Sequence, residues 1–195
     1  MVEKKRRKLK SLNEKIYPAK KSKRLEGNLR RKLQNPKKIL EKYIQKDMKI
    51  LDMGCGPGVF SIELAKMIGP KGKIIAADLQ EEMLEKLRIK LKDNNLKSKI
   101  KLHKCKKDKI DLKEKVDFVF AFYVVHELSN KKSFFEEISK ITTKKAKLFI
   151  VEPKFHLSKK DFEKTIEMAE KTGFKIIEKP SIFLSMAVIM EKIDE

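Results

Sequence analysis

The feature that most constrains this 195-residue chain is the stretch Asp52-Met53-Gly54-Cys55-Gly56-Pro57-Gly58, which directly follows the apolar Ile50-Leu51. Three glycines in alternation allow a tight turn and a close approach of backbone to a bound molecule. A helix starting just after such a turn offers unpaired N–H groups to an anionic group. In open α/β sheets, ligands lie outside the carboxyl ends of the strands. The stretch therefore reads as a ligand loop between a buried strand and a helix. The dinucleotide fingerprint G-x-G-x-x-G fails here, because Val59 stands where its third glycine belongs. Asp52, two residues before the first glycine, is unfavourable beside a pyrophosphate and suits a cationic ligand. Asp78, twenty residues past Gly58, is placed to accept hydrogen bonds from ribose hydroxyls.

Around this loop the chain alternates strand and helix signals. Apolar runs predict strands at Ile50–Met53, Ile74–Ala77, Ile100–Cys105, Val116–Tyr123, Ala146–Val151, Phe174–Glu178 and Ser185–Met190. Helical spacing predicts helices at Pro57–Ile68, Glu81–Leu91, Lys131–Ile141 and Ser158–Thr172, the last closed by Gly173. This alternation implies an α/β fold, a Rossmann-like seven-stranded mostly parallel sheet with helices on both faces. The final two strands are too close in sequence for a parallel crossover, so the last strand is expected to be antiparallel. A boundary near residue 47 divides the chain into a basic N-terminal extension, 1–47, and a ligand-binding domain, 48–195.

Leu51-Asp52-Met53-Gly54-Cys55-Gly56-Pro57-Gly58, then Ala77-Asp78-Leu79, then Val116-Asp117-Phe118-Val119 leading to Val124-Val125-His126-Glu127-Leu128 resemble the class I S-adenosylmethionine-dependent methyltransferases. The order of elements matches that family from about Met48 to Met190. S-adenosylmethionine carries a sulfonium and an ammonium, which fits the carboxylate at Asp52. The resemblance implies that Gly54, Gly56 and Gly58 wrap the methionine part of the cofactor. It implies that Asp78 holds the ribose, that Leu79 lies against the adenine, and that Ala121 and Phe122 line the methyl-transfer face. The family often has an acidic residue after its third strand that contacts the adenine amino group. Here that position falls on Cys105, with Asp108 three residues on as the alternative.

Methyl transfer to an activated carbon needs positioning, and a general base only where the acceptor must lose a proton. The loops after the fourth and fifth strands hold the candidates: Tyr123 and His126 for catalysis, with Glu152 and His156 nearby. Glu127 is expected to point away or to pair with a lysine. No Asn/Asp-Pro-Pro-aromatic sequence follows the fourth strand, where Ala121-Phe122-Tyr123-Val124 stands, which argues against methylation of base amino groups. Neither Cys55 nor Cys105 sits where a cytosine-carbon nucleophile is required. Two cysteines are too few for a zinc site or a disulfide framework, and no metal is expected.

The formal net charge is +21, and it is unevenly distributed. Residues 1–47 hold 18 Lys/Arg and 5 Asp/Glu, a net of +13, leaving +8 for the other 148 residues. Residues 1–13 read as disordered or loosely helical. With no substrate-domain insertion after the fifth strand, the extension is expected to close the acceptor pocket through Tyr17, Arg24, Arg30 and Arg31, with His156 opposite. No apolar run is long enough to span a bilayer, and the expected location is the cytoplasm. Three functions are compatible with these features. The first is methylation of a small molecule; the second is methylation of RNA or another polyanion gripped by the basic extension; the third is a non-catalytic regulator that binds the cofactor.

Overall fold

The computed structural model describes residues 17–20, 27 and 33–193. Arg24, Arg30, Arg31 and the basic stretch 1–13 lie outside the described residues.

The sheet has seven strands: β1 (Lys49–Met53), β2 (Lys73–Asp78), β3 (Ile100–Lys104), β4 (Val116–Phe122), β5 (Thr142–Pro153), β6 (Phe174–Glu178) and β7 (Ser185–Lys192). Their spatial order is β3-β2-β1-β4-β5-β7-β6. The pairs from β3 to β5 are parallel, and β7 runs antiparallel to both β5 and β6. The expected α/β architecture is present. Helices α1 (Pro36–Leu40), α2 (Val59–Met67), α3 (Glu81–Leu91), α4 (Lys131–Ile141) and α5 (Lys159–Glu170) flank it.

Strand alternation builds two cores. Ile50, Ile74, Phe118, Phe120 and Ile189 face one side and pack with Leu40 of α1, Leu64 of α2 and Leu84 and Leu87 of α3. Leu51, Ile75, Val119, Leu148 and Val188 face the other side and pack with Phe135 and Ile138 of α4 and Ile166 of α5. Because both faces are covered, Ile50-Leu51 of β1, Ile74 to Ala77 of β2 and Phe118 to Phe122 of β4 read as continuous apolar runs rather than alternating ones. Asn35 caps α1 by accepting the Lys38 N–H, ahead of Pro36 at the first helical position. Among the described residues, no helix is long and apolar enough to cross a membrane.

Several boundaries differ from the sequence reading. β4 stops at Phe122, and Tyr123 takes φ +58°. The aromatic run continues, but the backbone turns out of the sheet in the left-handed region, which L-residues rarely adopt. β3 stops at Lys104, leaving Cys105 in the loop. The first long helix begins at Val59, since Gly58 at φ +83° cannot be helical. β5 starts at Thr142, directly at the end of α4, and its pairing with β4 shifts register between Val116 and Phe118.

Candidate active site

Chain order reverses between β1 and β4, so their outgoing loops diverge and leave a crevice at the carboxyl edge of the sheet. Gly54, Gly56 and Gly58 adopt φ of +69°, +54° and +83°. Gly54 and Cys55 both donate their N–H to the Ala77 carbonyl, at 2.8 and 3.0 Å, which ties the loop to the end of β2. Lys90 of α3 braces it further, donating from Nζ to the Pro57 carbonyl at 2.8 Å. At Gly54 a Cβ would lie 2.6 Å from Cγ2 of Val124. Gly54→Ala therefore combines a strained φ with a clash against the β4 loop. We expect a loss of about 1–3 kcal/mol of stability, read as a lower Tm in calorimetry.

Asp52 and Asp78 occupy different environments. Asp52 is buried and accepts the hydroxyl of Ser61, at 2.5 Å, from the first turns of α2. This clamps β1 to the helix that follows the glycine loop. Burial raises the Asp52 pKa from 3.8 to about 7, opposed by the Ser61 hydrogen bond and assisted by the nearby Asp78. The folded chain thus keeps a proton that the unfolded chain loses between pH 4 and pH 7. Glu127, raised by burial from 4.5 to about 7, acts in the same direction. Stability from these groups falls as pH rises through that window. Asp52→Asn, which still accepts from Ser61, should flatten the fall when urea midpoints are compared across pH.

Asp78 ends β2. Its Oδ2 accepts the Gly56 N–H at 2.9 Å and its Oδ1 the Gln80 N–H at 2.8 Å. The loop glycines and the carboxylate that the sequence separates by about twenty residues are therefore in direct contact. Burial raises its pKa, and the two backbone N–H donors and Lys104 counter the rise. Beside it lies a cavity of about 50 Å³ bordered by Met53, Leu79, Cys105, Asp108, Ile110 and Phe134 among others. Cys105 is held there by its N–H to the Asp78 carbonyl, at 2.9 Å. Its thiol is pushed up to about 12, chiefly by burial, and the Cys55 thiol is raised by burial too. Neither is a nucleophile at neutral pH. Two carboxylates border the cavity: Asp108, whose Oδ1 accepts the Ser129 hydroxyl, and Glu137, whose Oε2 accepts the Ile110 and Asp111 N–H groups.

These features can be tested against S-adenosylmethionine. An apolar slot matches a planar base, an adjoining carboxylate with its oxygens held apart matches a ribose diol, and a left-handed glycine turn leaves room for a methionine tail. The residues present fit the cofactor. Ala121 and Phe122, fully or nearly buried at the end of β4, stand beside this loop, since Ala121 pairs with Met53.

The loop after β4 meets the end of β5 at a histidine–glutamate pair, with Glu152 still inside the strand rather than in the loop beyond it as the sequence suggested. Glu152 is 0% exposed. Its Oε1 accepts the N–H groups of Val125 and His126 at 2.8 and 3.2 Å, and its Oε2 contacts Nδ1 of His126. A carboxylate that accepts two backbone donors accepts from Nδ1–H as well, which leaves Nε2 as the basic nitrogen. His126 lies parallel to His156, with ring centroids 6.0 Å apart and planes 6° apart. Tyr123 stacks on Phe122 at 4.3 Å, and its hydroxyl lies 2.6 Å from both Gln34 Nε2 and Ser185 Oγ.

Glu127 corrects the sequence reading. Among the described residues it pairs with no lysine, and rather than pointing away it is partly buried and accepts the Tyr17 N–H at 3.3 Å. Gln80, two residues past Asp78, donates to the Tyr17 carbonyl at 2.8 Å, and Lys86 to the Ala19 carbonyl at 2.6 Å. The segment around Tyr17 thus bridges the ends of β2 and β4. Ser61 and Gln34 escaped the sequence reading. A lone serine in an apolar helix and a glutamine in a basic stretch carry no pattern. Only their buried positions, 0% and 8% exposed, mark them.

Comparison with known proteins is consistent with this geometry. Residues 44–186 match the family model described as a methyltransferase domain. The chain is 28% identical to an S-adenosylmethionine-dependent methyltransferase from Aquifex aeolicus, whose crystal structure superposes with a TM-score of 0.81 over 91% of this chain and 100% of that one. It is 37% identical over 94 residues to a malonyl-[acyl-carrier protein] O-methyltransferase from Legionella pneumophila, covering 48% of this chain and 32% of that protein. It is 38% identical over 53 residues to a 23S rRNA (uracil(1939)-C(5))-methyltransferase from Acinetobacter baumannii, covering 27% of this chain and 12% of that protein. The chain thus spans about a third or less of the curated relatives it matches. A family model that covers residues 44–186, the glycine loop joined to Asp78 and a shared seven-stranded topology lead to one assignment. The chain belongs to the methyltransferase-domain family.

Proposed function

We propose that this protein transfers the methyl group of S-adenosylmethionine to a small-molecule acceptor, with His126 as general base. The observation that carries this reading is the His126–Glu152 pair. A fully buried carboxylate fixes both the backbone and the ring of a histidine at the crevice edge. Such an arrangement orients Nε2 and stabilises the imidazolium that forms when it takes a proton.

When bound, the cofactor supplies an electrophilic methyl group on sulfur. The protein supplies the rest. Gly54, Gly56 and Gly58 carry the methionine part, Asp78 the ribose, and Leu79 with the Cys105–Asp108 loop the adenine. Asp52 acts through Ser61 to hold the loop. Tyr123, braced by Gln34 and Ser185, borders the acceptor side. Residues 1–47 act as a lid, with Tyr17 clamped between Gln80 and Glu127 and with Arg30, Arg31 and His156 meeting the acceptor.

A second reading, methylation of RNA or another polyanion, draws on the net +13 of residues 1–47 and on the segment shared with the rRNA enzyme. The test is a radiolabelled-methyl assay against cell extract separated into small molecules, RNA and protein. Label among small molecules supports the first reading; label confined to RNA replaces it with the second.

A further inference from the structure

The acceptor side carries more than a base. Phe155, 66% exposed, lies against His156 with centroids 4.8 Å apart, and His156 lies parallel to His126. The three rings line a stepped shelf from exposed Phe155, tilted 58° to His156, through His156 to the parallel His126. The rim beside it is apolar. Lys154 donates its N–H to the Leu184 carbonyl at 3.1 Å, so the Phe155 loop and the Phe183-Leu184 turn are adjacent. Phe183 and Leu184 are 50% and 51% exposed. The Phe183 carbonyl accepts from Gln34, which brings the half-exposed Leu33 to the same rim. Leu184 itself takes φ +53°, a conformation uncommon for a branched side chain, which presents it at the tip of the turn.

Elsewhere on a chain this rich in charge, such a cluster of solvent-facing apolar groups would be a liability. Beside a base it forms a binding surface with two requirements. A planar group would stack on the shelf, and an apolar extension would cover the rim. The base adds a third requirement. Imidazole takes a proton from a phenol or enol at modest cost, whereas an aliphatic alcohol holds its proton far more tightly.

We infer that the acceptor is a hydroxylated aromatic compound bearing an apolar substituent, its ring on the Phe155–His156–His126 shelf and its substituent over Phe183 and Leu184. This rests on the methyltransferase reading above. In the reaction the acceptor O–H gives its proton to Nε2 of His126. An oxygen lone pair forms the O–CH3 bond, and the S–CH3 bond breaks with its electron pair passing to sulfur. The proton then leaves to solvent.

The test uses the full chain and 4-alkylphenols from methyl to hexyl. Binding is measured by calorimetry without the methyl donor, and turnover with radiolabelled S-adenosylmethionine. Affinity and kcat/KM should each rise about 2–4-fold per added methylene, and Leu184→Ser should flatten both slopes. Phenols that neither bind nor accept methyl, in a protein that binds S-adenosylmethionine, overturn this inference alone. So does methyl transfer that is indifferent to substituent length, whereas transfer that goes only to RNA overturns this inference and the small-molecule reading together. Failure to bind S-adenosylmethionine overturns the reading beneath it as well.

Discussion

Glu152→Gln should lower kcat by about 10²–10⁴-fold while changing cofactor affinity little. The substitution keeps size and shape, so its effect isolates the hydrogen-bond logic. In the wild type, one oxygen of Glu152 accepts the Val125 and His126 N–H groups and the other faces Nδ1. In the variant, the amide oxygen must stay with the two backbone donors, because turning the NH2 toward them would set three donors against each other. The NH2 then donates to Nδ1, which forces the imidazole proton onto Nε2 and removes the base. The acid limb of the pH–rate profile should vanish with it. An unchanged kcat and pH profile would show that His126 is not the base. Folding should survive, since the buried amide still has partners for its oxygen and one N–H.

Much of the fold was legible because β2 and β4 are buried on both faces. Their sequences, Ile74-Ile75-Ala76-Ala77 and Phe118 to Phe122, stay apolar without interruption and cannot be read as surface elements. The candidate cofactor loop and its partner Asp78 were legible as well. The glycine loop and Asp78 are each fixed by backbone requirements that show up as residue type and spacing, and the structure joins them through the Gly56 N–H. The candidate acceptor side was only half legible. His126 and Glu152 were visible as candidates, but their contact depends on the β4–β5 register, which pairs Phe122 with Val151 and brings the loop after β4 against the end of β5. That register is set by packing across the whole sheet rather than by any local motif. Tyr123 read as a strand residue because side-chain type carries no sign of a left-handed φ. Glu127 read as a surface carboxylate because its partner, the Tyr17 N–H, lies 110 residues away on the backbone.

Asp78→Ala should weaken S-adenosylmethionine binding by at least about 100-fold. A carboxylate accepting both ribose hydroxyls makes two charge-assisted hydrogen bonds, each worth about 1.5–3 kcal/mol. Their loss together amounts to about 3–6 kcal/mol, or roughly 10²–10⁴ in Kd. The substitution has a second effect. Asp78 also accepts the Gly56 and Gln80 N–H groups, so its removal frees the glycine loop and must add an ordering cost to binding. Asp78→Asn separates the two effects, since its amide oxygen can keep one backbone donor while the charge is lost, and it should fall between wild type and alanine.

The most direct measurement is a calorimetric titration of the full chain and of Asp78→Ala with S-adenosylmethionine under identical conditions. The wild type should show saturable binding in the micromolar range, about −8 kcal/mol, and the variant should show none at the same concentrations. No binding by the wild type, or equal binding by both proteins, would contradict the assignment of this site.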